Sequence, residues 1–106
     1  MPVTACLPGG LLPIATAIEK RRLLAFTYHG LERVVEPHIY GIKPDGRAAL
    51  SAYQVEGESG SDEQAGWRLF HVHEMQDVRL LRRVFNRPRE GYKRDDGMFS
   101  RTFVKL

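Results

Sequence analysis

With 106 residues, 42% of them hydrophobic and 27% charged, and a formal net charge of +3, the chain has the size and balance of one soluble globular domain. That length excludes a catalytic domain joined to a regulatory one, and no apolar run approaches the roughly 18–20 residues that span a bilayer. Cys6 is the single cysteine, which excludes an intramolecular disulfide and a thiolate metal cluster. Met1–Leu12 carries no basic region and is broken by Pro8, Gly9 and Gly10, so it does not read as a signal peptide, and a cytoplasmic location is expected.

Leu11–Arg22 is predicted as a helix. Leu11, Ile14, Ala15 and Ile18 recur on one face, Pro13 suits the first turn, and Lys20, Arg21 and Arg22 offset the carbonyl end of the dipole. The period then changes. Leu23–Tyr28 reads as a strand, His29-Gly30 as a tight turn, and Glu32–Glu36 as the returning strand of a hairpin. Pro37 limits pairing beyond it, Ile39–Ile42 is a short extended piece, and Lys43-Pro44-Asp45-Gly46 is a turn. Arg47–Val55 follows as a strand.

Glu56–Gly66, polar and rich in glycine and serine, is expected to be a mobile loop. In the strand Trp67–His73, alternation puts Trp67, Leu69, His71 and His73 on one face and Arg68, Phe70 and Val72 on the other. Met75–Leu81 reads as a fifth strand or else a short helix, and Phe99–Leu106 is apolar enough to pair back as a last strand. One helix ahead of about five short antiparallel strands predicts a mainly β domain, a small and strongly bent barrel with a helical lid. Ile14 and Ile18 should pack on Leu24, Phe26, Val35 and Leu50.

The residues offer no catalytic constellation. Pro8-Gly9-Gly10 lacks the lysine and the preceding strand of a phosphate loop. Cys6 has no histidine near it in sequence to act as base. His71 and His73, at i and i+2 on one strand face, could chelate a metal, but two histidines do not complete a site. A third ligand would have to come from His29 or His38 on turns elsewhere or from an acid, and structural or solvent-facing roles are expected. The paired carboxylates, Asp62-Glu63 and Asp95-Asp96, fall in a loop and a tail with nothing to hold them at a set separation. The expectation is a binding module with no enzymatic activity, no cofactor and no metal.

Binding has more to work with. Between Arg82 and Arg101 seven basic residues stand against three acidic ones, so this tail carries the positive excess of the chain. Aromatic and basic residues interleave in Trp67-Arg68-Leu69-Phe70-His71, Phe85-Asn86-Arg87, Tyr92-Lys93-Arg94 and Phe99-Ser100-Arg101. Rings stack on bases and cations hold phosphates, which suits nucleotides or single strands. Phe26, Phe70 and Phe85 are instead expected in the core.

The order Ala17-Ile18-Glu19-Lys20-Arg21-Arg22, Phe26-Thr27-Tyr28-His29-Gly30, Arg33-Val34-Val35-Glu36-Pro37, Asp45-Gly46-Arg47-Ala48-Ala49-Leu50, Ala52-Tyr53 and Trp67-Arg68-Leu69-Phe70 resembles the WYL domain from about Ile14 to Leu81. The resemblance implies an Sm-like, strongly bent five-stranded antiparallel barrel preceded by a helix. It implies a module that usually follows a winged-helix DNA-binding domain in bacterial transcription factors and binds nucleic acid or small effectors. The present sequence looks like the stand-alone form. The family's Trp-Tyr-Leu triplet falls on Ala48, Ala49 and Leu50, so only Leu50 matches. Its later arginine-bearing strand falls on Phe70-His71-Val72-His73-Glu74-Met75, putting His71 and Glu74 where arginines contact the ligand.

The matching basic positions that remain are Arg33, Arg47 and Arg68. Together with His71 and Tyr53 they are the expected ligand site for a nucleotide or single-stranded nucleic acid in transcriptional regulation. Strand arginines would be pre-positioned, whereas Arg87, Arg89, Lys93 and Arg94 form an expected flexible nucleic-acid tail. The competing expectation is a protein partner or a homo-oligomer docked through a sheet edge or the tail, with no small ligand and no membrane.

Overall fold

The computed structural model describes residues 11–57, 66–92, 97 and 99–106. Helix α1 (Leu11–Lys20) precedes six strands: β1 (Arg22–Tyr28), β2 (Leu31–Ile42), β3 (Ala48–Gly57), β4 (Gly66–His71), β5 (Met75–Val84) and β6 (Arg101–Lys105), with a 3-10 turn at Val72–Glu74. All pairings are antiparallel. The helix stops two residues before the predicted end because Arg21 takes a left-handed conformation (φ 55°), which turns the chain into β1. His29 and Gly30 both have positive φ and close a two-residue hairpin loop between β1 and β2, as its twist demands.

The two pieces predicted on either side of Pro37 are one twelve-residue strand. Along one edge β2 pairs with β3 through most of its length. Along the other it pairs with β1 up to Val35 and with β6 from Ile39 onward. Pro37 lies in the gap between these two partners, where the N–H it lacks is not called upon. The β2–β3 register slips between Pro37 and Ile39, so His38 is an extra, bulged residue. A bulge puts neighbours on the same side, and His38 and Ile39 both meet Tyr92. Gly41 is required by the approach of β6, since a Cβ there would stand 2.3 Å from the Arg101 carbonyl.

The sheet order is β4-β3-β2-β1-β5, with β6 on β2. This corrects the five-stranded Sm-like barrel: among the described residues there are six strands, and β4 and β5 are not hydrogen-bonded, so the sheet does not close. It is nonetheless strongly bent. The three residues of the 3-10 turn join strands at opposite ends of that order, and the Tyr28 hydroxyl in β1 accepts a 3.1 Å bond from the His71 N–H in β4. Trp67–His73 is therefore not one strand, and His73 does not continue the face of His71.

On one face of the sheet Ile14 and Ile18 of α1 pack with Leu24, Phe26, Val35 and Leu50, as predicted, and the same core takes in Ala17 in place of the predicted Ala15, with Tyr28, Tyr40, Ala52 and Phe70. Phe70 meets Phe26 and Tyr28 edge-on, with ring centres 4.8 and 4.9 Å apart. A smaller cluster holds Ile39, Ala49 and Phe99 with Leu69 and Tyr92. Alternation along β3 explains the division, Leu50 and Ala52 facing the main core and Ala49 the smaller cluster. Burying an aliphatic such as Ile18 is worth roughly 1.5–3 kcal/mol.

The predicted loop 56–66 lies mostly outside the described residues, β3 ending at Gly57 and β4 beginning at Gly66. Cys6 also lies outside them.

Candidate functional site

The five residues of the expected ligand site do not converge on one point. Arg33 is buried, only 6% exposed, on the main core face of β2. Its guanidinium carbon lies 5.5 Å from the Tyr28 ring centre and 5.8 Å from that of Phe70. Nη2 donates to the Tyr28 carbonyl at 3.2 Å and Nη1 to Gln54 Oε1 at 3.3 Å, while Nε is buried with no hydrogen-bond partner. Burial lowers its pKa from the ordinary value and the neighbouring Arg68 charge lowers it further, with no carboxylate of the described residues among the groups acting on it. Arg33 is thus a buried cation beside a second cation. Arg68 donates to the Trp67 carbonyl at 3.2 Å.

Arg47 does not project from a strand. It sits in the β2–β3 turn, where its backbone N–H and Nε each donate to the Asp45 carboxylate at 2.9 Å. These bonds hold the Asp45 carboxyl down to about 2. Beside the turn Lys43 Nζ lies 3.2 Å from His71 Nε2. Burial, then the charges of Arg47 and Lys43, lower the His71 pKa, so a neutral His71 ring accepts from Lys43.

Glu74, aligned with a ligand arginine of the resemblance, lies among three histidines. It bonds His29, and its Oε2 lies 3.8 Å from His71 Nδ1 and 3.6 Å from His73 Nε2. The His29 hydrogen bond is the main reason its carboxyl titrates below the usual range. Among the described residues no group of three or more histidine, cysteine or acidic side chains is placed to hold a metal.

Tyr53 belongs to the opposite face, and what covers it overturns the picture of Arg89 on a flexible tail. After β5, residues 85–92 cross the sheet as a strap. Arg89 grips Glu36 with both arms of its guanidinium, Nε to Oε1 at 2.8 Å and Nη2 to Oε2 at 3.2 Å, while lying 4.6 Å over the Tyr53 ring. That pair raises the Arg89 pKa further.

The Arg89 backbone N–H donates to His38 Nε2 at 3.0 Å, and His38 Nδ1 lies 2.7 Å from the Glu36 carbonyl. An N–H can only donate, so Nε2 accepts and the proton sits on Nδ1: His38 is the neutral tautomer. Burial lowers its pKa accordingly. His38 is enclosed by Trp67, Phe85 and Tyr92, and Trp67 Nε1 donates to the Glu90 carbonyl at 3.0 Å. Arg87 is exposed, and Lys93 and Arg94 lie outside the described residues.

Glu36 and Lys43 were not singled out from sequence, and His38, weighed there only as a metal ligand on a turn, lies on β2. Glu36 stood in the Arg33–Pro37 motif, but its partner lies 53 residues away, and no local pattern announces such a pair.

No helix among the described residues is long and apolar enough to cross a membrane. No curated protein and no solved structure matches the chain. A family model described as "WYL domain" matches residues 10–80, more than half of the sequence, and ends before the strap and β6. It covers α1, β1 to β4 and the residues around Arg33, Arg47, Arg68 and Glu36. The chain belongs to the WYL domain family, whose members are in general ligand-sensing regulatory modules.

Proposed function

We propose that this domain senses an anionic ligand, a nucleotide or a short stretch of single-stranded nucleic acid, as a non-enzymatic regulator of transcription. Arg33 is the observation that carries the reading: a nine-tenths-buried guanidinium with an unsatisfied Nε, a second arginine beside it and, among the described residues, no carboxylate acting on it. Burying a cation with an unsatisfied nitrogen is costly, and a ligand anion reaching Arg33 would supply a counter-charge and the missing acceptor. Tyr28 extends the same neighbourhood toward His71, giving its carbonyl to Arg33 and its hydroxyl to the His71 N–H. Lys43 and Arg47 add positive potential at that end.

The test is titration with nucleotides and single-stranded oligonucleotides at low and moderate salt, on wild type and on Arg33→Met with Arg68→Ala. A built site gives a salt-tolerant component that the double variant loses, because two parallel hydrogen bonds survive screening while counterion release does not. If the two proteins bind alike, the ligand does not use these arginines. Absence of binding even at low salt would favour the second reading, a partner paired to an open sheet edge. That reading is supported by the outer edges of β4 and β5, each hydrogen-bonded to a strand on one side only among the described residues.

A further inference from the structure

The strap and the sheet beneath it are arranged as ligand and receptor. The receptor groups all stand on strands inside the stretch shared with the family: Glu36 and His38 on β2, Tyr53 on β3 and Trp67 on β4. The groups they hold, Arg89 and Glu90, lie beyond it.

Each receptor group meets a different feature of the strap. The Glu36 carboxylate matches the guanidinium fork, the Tyr53 ring supplies a π face beneath it, His38 Nε2 receives the Arg89 N–H, and Trp67 Nε1 donates to the next carbonyl. Side chain, backbone donor and backbone acceptor are all read, as in peptide recognition. A cleft of about 580 Å³, lined by Glu36, Phe85 and Arg89 among others, opens beside the contact.

We propose that Glu36, His38, Tyr53 and Trp67 form a binding site for an arginine-bearing peptide segment, which the chain's own strap fills in cis through Arg89. It is separate from the anion site of Arg33, and either can hold if the other fails. Fusion to the domain gives the strap an effective concentration on the order of millimolar. A peptide in trans therefore gains entry only when the strap is weakened or the peptide binds more tightly.

Trp67 is the only tryptophan and touches the strap directly, so its emission reports occupancy. In full-length Arg89→Ala, Trp67 emission should shift to the red and become more accessible to acrylamide. A synthetic peptide with the sequence of residues 85–92 should restore the wild-type signal. The same peptide with alanine in place of its arginine at position 89 should bind about tenfold more weakly. Adding Glu36→Gln to the protein should abolish the difference between the two peptides.

Circular dichroism establishes that the sheet is intact. Should Arg89→Ala lose it, Arg89→Lys, which keeps the charge and loses the fork, is read the same way and should give an intermediate exposure of Trp67. Wild-type emission and quenching in a folded Arg89 variant would overturn the proposal. So would equal binding of the peptides with and without arginine.

Discussion

Arg33 and Arg89 are anchored against opposite faces of one bent sheet, and the chain treats them in opposite ways. Arg89 has a side chain 44% exposed, yet its charge is met by a bidentate carboxylate and its backbone by His38. Arg33 is almost wholly buried, yet one nitrogen is unsatisfied, its two hydrogen bonds are long and its charged neighbour is another arginine. An arginine that holds a fold together is expected to look like Arg89. One that looks like Arg33 costs folding free energy, a cost that the proposed anionic ligand would offset.

The comparison presumes a common core against which both arginines are measured, and breaking that core has the largest expected effect. Ile18 is 2% exposed against the sheet, so Ile18→Asp buries an unpaired carboxylate and should unfold the domain, seen as loss of a cooperative thermal transition. Next comes the strap. Arg89→Ala leaves the Glu36 carboxylate, 9% exposed, without its partner and should cost about 1–3 kcal/mol in denaturant titration. A cost near zero would mean that the pair is ornamental and that the contrast with Arg33 fails.

His38 sharpens the same contrast through pH. Its folded-state pKa lies below the ordinary value near 6.5, so as pH falls the unfolded chain takes up a proton first. The stability owed to neutral His38 is complete above about 6.5 and is lost as pH falls toward the folded pKa. His71, lowered in the same direction, adds to this slope. Melting temperature should therefore fall with pH below about 6.5, and His38→Gln should flatten the slope without removing it. The smallest effect belongs to Asp45. Its side chain is exposed and serves only the turn, so Asp45→Asn should leave the melting temperature within error at neutral pH and free Arg47.

How much of this was legible in the sequence follows from the range of the interactions. The main core was readable because its signals are local: the spacing of Ile14 and Ile18 on α1, and the apolar positions Leu24, Phe26, Val35 and Leu50 of the strands. The hairpin at His29-Gly30 was readable from turn chemistry. The open sheet was not, because β4 and β5 are separated by only three residues and local pattern suggests a pair, whereas β5 pairs instead with the distant β1. The continuity of β2 through Pro37 was not either, since the proline is tolerated only where β1 gives way to β6.

At the site, Arg33 and Arg68 came from the resemblance, and nothing local showed that Arg33 would be buried. Arg89 looked like a solvated tail residue because its partners Glu36 and His38 lie 53 and 51 residues away. Interleaved rings and cations in the sequence were consistent with both a binding tail and a docked strap, and the distinction is tertiary.

The most direct test of the central claim is the thermal stability of Arg33→Met with no ligand present. Methionine keeps much of the volume and packs favourably against Tyr28 and Phe70 while removing the buried charge. If Arg33 is retained for a ligand, this variant melts at or above the wild-type temperature. A drop of more than about 4–8 °C, which corresponds to about 1 kcal/mol in a domain of this size, would show that Arg33 holds the fold and would contradict the account.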